Sequence, residues 1–567
     1  MDTARAAPSE LNYAPNQVPL SIASESTRQE FLPSNNGSFQ FGNSQVIDIS
    51  INGDFFLDTS QSYLMATLTN LSTAGPLCLE MGPSWIKKIE IKSAGVVLES
   101  LDCYGRLYAM LMAAQTDDVH STQGVYLGNQ HTSSVEDFDR ETDDPTGLVD
   151  VMANSRRVAG GPRYPQPAHF QYEEGYAMSD TPQSGVLQAA AGGYGNDNKY
   201  TMCIPIVSAL FNSAQLLPLL LSSAGLQLSI ELAPPSSVGV TYAKAPGTDW
   251  PDNAGAGAFY AETQYQISSV KYVAHCVSLD NSFTGALREQ LAQSGAISMH
   301  GTAWRQFSAT YRGDEESPVI NIPARMRSIK SMFVTQRNQS QGSPANGTPA
   351  NADGSAVDKA RASTNGRFST SAFLQCGMKQ AQFKVGSAQF PATAITLDDT
   401  GYASWPGDVT QRAGSGTAEA YCECLKAFGK LGATDHTTSL TRLTYSQTGN
   451  AGNPGPGDWM KAFVLGIDME SFGKSVLESG TDSSSRSLPI ILELNRSKSV
   501  GDAEGYLHVD RTKLSEQVTT AGGDGVGAYV QGAIVSNPAA TYIAVDTFVC
   551  SDAWFFWNSD GSVICSV

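Results

Sequence analysis

The sequence predicts an all-β protein built from two similar domains in succession, and three observations carry that reading. First, one strand pattern occurs twice. Leu226, Leu228, Ile230 and Leu232 alternate with Gln227, Ser229 and Glu231, and 262 positions later Leu488, Ile490, Leu492 and Leu494 alternate with Pro489, Ile491 and Glu493. Period two with one apolar face is the mark of a half-buried strand. Second, the surroundings repeat. Each copy follows an apolar stretch of partly helical character (204–221 and 459–477), precedes a Gly/Ser/Pro-rich excursion, and leads on to another strand-like run, at 265–279 and 542–550. Third, 567 residues are too many for one core, whereas two domains of about 250 residues each bury one comfortably.

Taken in order, residues 1–38 are rich in Ala, Pro, Ser and Asn with little periodicity, which predicts an N-terminal arm ordered only against a neighbour. The first domain, 39–280, opens with Ile47, Ile49 and Ile51 alternating with Asp48 and Ser50. Asn52-Gly53 signals a turn, and Phe55–Leu57 and Tyr63–Leu68 continue the apolar pattern. A hairpin follows over 86–98 with its turn at Ser93-Ala94-Gly95. A helix is predicted from about Asp102 to Ala114, where Leu107, Met110, Leu111 and Ala114 fall on one stripe. Residues 115–199 and 234–261 read as long excursions that leave one strand framework and rise together from one end of it.

Residues 281–301 read as a linker with a short helix: Phe283, Leu287 and Leu291 share a stripe, and Gly295 is the stop. The second domain, 302–567, resumes with strands at 304–311, 319–322 and 329–335, is interrupted by low-complexity loops at 338–365, 449–457 and 519–527, and closes on Trp554–Trp557, an Asp560-Gly561 turn and a last strand.

Composition narrows the function. Only 16% of residues are charged, against about 25% in an average soluble protein, and a surface of Ser, Thr, Asn, Gln and Gly suits close lateral packing because few charges need desolvating. The net charge of -19 repels phosphate, so the folded body is not expected to bind nucleic acid. The basic clusters, Arg156-Arg157, Lys87-Lys88 and Arg325/Arg327/Lys330, are short enough to be solvated faces. The nine cysteines stand singly, without a CxxC, as free thiols of a reducing compartment do. There is no apolar signal core and no window of membrane-spanning length, so a soluble chain without membrane insertion is expected.

No catalytic, cofactor-binding or metal-ligating site is expected. HExxH, Walker, GxSxG and EF-hand patterns are absent, and the seven histidines form no i, i+4 pair. Cys422-x-Cys424 supplies two soft ligands, which on a strand share one face and read as core thiols. The acidic run from Glu136 to Asp144 lacks the spacing and central Gly of a calcium loop and reads as a solvated loop. Gly523–Gly527 has no following Lys. Trp554–Trp557 places bulky groups on both strand faces, as expected for core on one side and interface on the other.

The stretch from Thr201 to Leu232, with its "LLPLLL" turn between two strands, resembles the corresponding part of double jelly-roll major capsid proteins of double-stranded DNA viruses. Asp54-Phe-Phe-Leu-Asp58 with Tyr63-Leu64, the hairpin and helix from Trp85 to Ala114, Leu488–Leu494 and the close at Val545–Val567 agree in the same order. The size is most similar to the virophage and Polinton-like group. The resemblance implies two consecutive eight-stranded antiparallel jelly rolls with long loops and a few short helices. It further implies a non-enzymatic structural protein of the virion, folded inside a host cell, that self-associates into homotrimeric, pseudo-hexameric capsomers tiling an icosahedral shell beside penton and minor capsid proteins. The competing reading is a β-sandwich that binds or cleaves carbohydrate, since lectins and glycosidases share jelly rolls. Duplication of the roll and the missing signal segment speak against it.

Overall fold

The computed structural model describes residues 24–71, 77–79, 83–114, 186–187, 199–213, 215–242, 260–261, 264–312, 315–338, 373, 378–397, 418–431, 445, 463–471, 479–485, 489–496 and 542–566. The first half runs through β1 (Ser24–Phe31), β2 (Ser38–Phe39), β3 (Val46–Ile51), β4 (Phe56–Asn70), β5 (Leu77–Leu79), β6 (Ile86–Ser93) and β7 (Val96–Asp102) into helix α1 (Tyr104–Ala113). It continues with β8 (Val186–Leu187), β9 (Lys199–Ile204), β10 (Leu217–Pro218), β11 (Leu226–Leu232), β12 (Gly239–Tyr242), β13 (Tyr260–Ala261) and β14 (Tyr265–Leu279). One sheet has the order β1-β14-β4-β10, with β9 also on β4, and the other β3-β11-β6-β7. With β9 and β10 taken as one interrupted strand along β4, the strands stand in the orders first-eighth-third-sixth and second-seventh-fourth-fifth. That is an eight-stranded jelly roll.

The second half repeats it. Helix α2 (Asn281–Ser294) leads to β15 (Ala296–Arg312), β16 (Val319–Ile322), β17 (Ile329–Asn338), β18 (Met378–Val385), β19 (Ala388–Thr396), α3 (Ala418–Ala427), β20 (Leu465–Asp468), β21 (Ile490–Arg496), β22 (Tyr542–Asn558) and β23 (Val563–Ser566). Its sheets, β15-β22-β17-β20 and β16-β21-β18-β19, have the same two orders, with β23 added beside β22. The twice-occurring strand pattern therefore marks the seventh strand of each roll, β11 and β21, and both helices α1 and α3 follow a fifth strand. Inward residues close each sandwich: Ile47, Ile49 and Ile51 beside Leu226, Leu228 and Ile230 in the first, Ile320 and Ile322 beside Ile490 and Leu492 in the second, all buried.

Register gives direction. In the first roll, β4 ends and β6, β9 and β14 begin at one end, and α1 leaves β7 there too. The long connections depart from that end, and pieces of three of them pair into a small sheet, β13-β12-β5-β8, in agreement with excursions leaving a common end. In the second roll β17, β19 and β21 end, and β18, β20 and β22 begin, at the corresponding end. The opposite end has tight turns. Ala94 (φ 49°) and Gly95 (φ 80°) close β6 onto β7 with both central residues left-handed, the geometry that matches strand twist.

Several expectations need correction. The arm does not extend to residue 38: Ser24–Phe31 is β1, paired residue by residue with Leu279–Tyr272 of β14. Its polar sequence shows no alternation because seven of its eight residues are exposed; backbone pairing holds it, with Lys271 of β14 on Glu30 at 2.9 Å. The linker is shorter than 281–301. Helix α2 stops where Gly295 turns left-handed (φ 78°) and donates to Leu291, and β15 begins at Ala296 rather than 302. The described parts of the stretches at 204–221 and 459–477, which are 204–213, 215–221 and 463–471, are strand and turn instead of partly helical, apart from a single 3-10 turn at Leu219–Leu221. Pro205 and Pro218 break the first, and Gly466 lies in β20 in the second.

Candidate assembly interface

The two rolls stand parallel and touch along one seam. At its centre β7, the outer strand of one sheet of the first roll, runs beside β15 and β23 of the second. A Cβ on Gly301 of β15 would lie 2.2 Å from the Ala209 carbonyl oxygen, so only glycine admits this approach. Ala209 is itself held by Glu99 of β7, whose carboxylate accepts from the Ala209 N–H at 2.8 Å. Burial pushes the Glu99 carboxyl above its ordinary value despite that bond. At the loop-bearing end, Arg106 of α1 crosses to the second roll. Its Nε is 3.0 Å from Asp546 Oδ2, its Nη2 donates to Thr335 Oγ1 at 3.1 Å, and its guanidinium lies 4.9 Å from the Phe373 ring centre. Lys430, just past α3, donates to the Ala114 carbonyl at the end of α1 (2.7 Å), a cation at a helix C-terminus. At the opposite end the Ser223 N–H donates to Gly561 O at 3.1 Å.

These contacts bury both faces of β22. Val545, Val549, Ala553, Phe555 and Trp557 point one way, while Asp546, Phe548, Cys550 and Asp552 point the other, Asp546 toward Arg106 of α1, and all are buried. Gly466 lets α3 sit close, since an added Cβ would meet Cys424 Cα at 3.0 Å. Each aspartate is fully partnered. Besides Arg106, Asp546 accepts from Gln306 (2.9 Å) and Ser308 (3.0 Å). Asp552 lies 2.8 Å from His300 Nε2, accepts from Ser328 Oγ at 2.6 Å and has Lys330 Nζ at 3.4 Å. Burial works against the Asp552 charge, but the Ser328 and His300 hydrogen bonds and Lys330 outweigh it and hold the carboxyl below its ordinary value. This Ser, His and Asp set is no nucleophile. Ser328 and His300 both spend their bonds on Asp552, whereas activation requires the imidazole to touch the hydroxyl.

The remaining residues singled out from sequence separate. Cys422 and Cys424 lie on helix α3 rather than on a strand, so they point apart, Cys422 exposed and Cys424 buried. Nothing in the isolated dipeptide spacing signals a helix; Ala418, Ala420 and Ala427 do. Phe555 and Trp557 are core, while Trp554 meets the His300 ring edge-on at 5.2 Å, which leaves no open aromatic platform in the run. Lys330 pairs with Asp552 and Glu470 (3.5 Å). The acidic run at 136–144, Arg156-Arg157 and Gly523–Gly527 lie outside the described residues. Among the described residues no group of three His, Cys, Asp or Glu could hold a metal ion, and no helix is long and apolar enough to cross a membrane. Arg106, Asp546 and Gly301, the residues that make the seam, carry no sequence signature that would have found them.

No family model and no curated protein sequence matches the chain. Among solved structures it is similar to the mavirus major capsid protein (10% identity, 100% of this chain and 96% of that one covered, TM-score 0.46). It is similar to a chain of the Sputnik virophage (10%, 100% and 93%, TM-score 0.47) and to the Faustovirus major capsid protein (7%, 95% and 91%, TM-score 0.46).

Proposed function

We propose that the chain is a major capsid protein of a double-stranded DNA virus, a structural rather than catalytic protein that self-associates as homotrimers of six rolls and tiles an icosahedral shell. The observation that carries this reading is the seam. It joins the fifth strand of one roll to the first strand of the next, a head-to-tail contact, and such contacts repeat into rings or filaments because each leaves an unused half at either side. Two parallel rolls with one strand order and long connections at one end give a tile with distinct outer and inner ends. Residues ahead of Ser24 enter at the end with tight turns, which suits an arm that reaches neighbouring capsomers, penton or minor capsid proteins on the inner side. The net charge of -19 argues against direct contact with nucleic acid.

Purified protein should weigh three times 60.2 kDa, about 181 kDa, by mass photometry, and appear as hexagonal tiles in micrographs. A strict monomer at micromolar concentration would overturn the reading. Folding in a host-cell interior predicts that denatured, unreduced protein titrates as nine thiols; four disulfides would overturn that. Removing residues 1–23 should leave trimers intact and impair shell formation, because arm contacts add to many weak lateral ones.

A further inference from the structure

Two Asn-Gly pairs lie among the described residues, at 36–37 and 52–53, and the fold treats them differently. Asn36 and Gly37 sit where the chain crosses from one sheet of the first roll to the other. Just before them the Ser34 N–H donates to Asp48 O at 2.8 Å and Asn35 Nδ2 donates to Val46 O at 2.7 Å, both acceptors on β3. Just after them β2 pairs with Ile267 and Ser268 of β14. The crossing is clamped on both sides, while Asn36 and Gly37 themselves are exposed. The Gly37 N–H points at the Asn36 side chain, donating to Oδ1 at 3.0 Å, and an added Cβ on Gly37 would meet nothing within 4 Å. The other pair is packed. The Phe55 ring comes within 2.1 Å of where a Cβ on Gly53 would be, and Asn52 Cβ lies 2.7 Å from where a Cβ on Gly225 would be. Asn35 is occupied as well, since its Oδ1 accepts from the Asp48 N–H at 3.4 Å.

We propose that Asn36 is a self-modification site, at which the Gly37 nitrogen is presented to the Asn36 side-chain amide and converts this asparagine to aspartate and isoaspartate. The Gly37 N–H gives its proton to hydroxide, and the nitrogen attacks Asn36 Cγ. The N–Cγ bond forms, the Cγ–Nδ2 bond breaks, and ammonia leaves with a proton taken from water. Water then opens the five-membered imide at either carbonyl. One opening gives aspartate, and the other gives isoaspartate, whose main chain is longer by one methylene. Glycine matters because a side chain at residue 37 would hinder the close approach of its own nitrogen. Proximity matters because a nucleophile held against its target reacts far faster than one that must find it. Either product adds a negative charge to a chain already at -19, and isoaspartate lengthens the crossing between its two clamps.

The test is an ageing experiment on the full chain in mildly alkaline buffer, with and without urea, sampled over days. Peptide mapping by mass spectrometry gives the fraction converted at Asn36 and at Asn52, and labelling by an isoaspartyl methyltransferase reports the isoaspartate. In the folded protein Asn36 should convert about tenfold or more faster than Asn52. In urea, which frees Asn52 and Gly53 from their packing, the two rates should converge. Gly37→Ala, which has room for its methyl group, should slow conversion at 36 and leave that at 52 unchanged. Equal rates at the two sites in the folded protein would overturn the proposal. So would a difference that persists undiminished in urea, because it would then belong to the local sequence and not to the fold.

Discussion

β14 and β22 are the same strand of the same fold, the eighth of each roll, yet they live in different solvents. β14 reads Tyr-Gln-Ile-Ser-Ser-Val-Lys-Tyr-Val-Ala-His-Cys-Val-Ser-Leu, and on its outer face Lys271, His275 and Val277 keep partial contact with water. β22 is buried on both faces along most of its length, and its outer face holds two aspartates that must be neutralised inside the protein. The two rolls share one framework, and the seam redistributes polarity over it. A face that becomes an interface trades water for named partners: for Asp546 an arginine of the other roll beside two residues of its own, and for Asp552 residues of its own roll.

The largest break in this comparison should come from Arg106→Met. It strands the Asp546 carboxylate in a buried site, which costs about 3–5 kcal/mol, read as a lowered urea midpoint. Lys271→Met removes the corresponding cation from the open face and should leave the midpoint within error. Equal losses would mean that the covered and open faces are not distinct. Next, Gly466→Ala pushes α3 off the sheet and should cost about 1–3 kcal/mol through overpacking. Gly37→Ala, where an added Cβ meets nothing within 4 Å, serves as its control.

Acid titration sharpens the contrast between seam and sheet. The folded Asp552 carboxyl lies below its unfolded value, so its stabilisation is complete above about pH 3.9 and disappears as pH falls through the folded value. Glu99 lies above its unfolded value. The native protein takes up that proton first, and stability rises as pH falls toward about 4.3. Asp552→Asn should flatten the acid loss of stability and Glu99→Gln should remove the preceding rise, both read from urea midpoints between pH 7 and 3. The same slope change in both variants would contradict the opposite environments described.

The smallest effect concerns thiols. Exposed Cys422 should be the first described cysteine to react with maleimide in native protein. Cys550, whose thiol burial pushes up to about 12, should react only on unfolding. Labelling of Cys550 in the native state would show that the outer face of β22 is not sealed.

Much of the framework was legible in the sequence because period-two alternation survives wherever one face is wet: β3, β6, β11, β14, β16 and β21 all read directly. β22 reads as a nearly continuous apolar run, and Trp554–Trp557 divides as bulky groups on both faces imply, with Phe555 and Trp557 in the core. What stayed hidden depends on partners distant in the chain. β1 has no apolar pattern since β14 supplies its hydrogen bonds. α3 carries helix formers in Ala418, Ala420 and Ala427, but its Cys422 and Cys424 at strand spacing point toward a strand. The seam brings Arg106 to Asp546 across 440 positions, and no local pattern encodes that meeting.

Within each roll the long connections between strands leave one end, while the other end turns on as few as two residues at Ala94-Gly95. Chain length is therefore cheap to change at one pole and costly at the other: doubling a flexible connection costs about 0.6 kcal/mol in closure entropy, whereas one residue added to the tight turn shifts a strand register and turns every following side chain to the wrong face. Foreign peptides spliced into the connection between β17 and β18 should ride on the framework without disturbing the seam, which makes the molecule a display scaffold with a built-in outward direction.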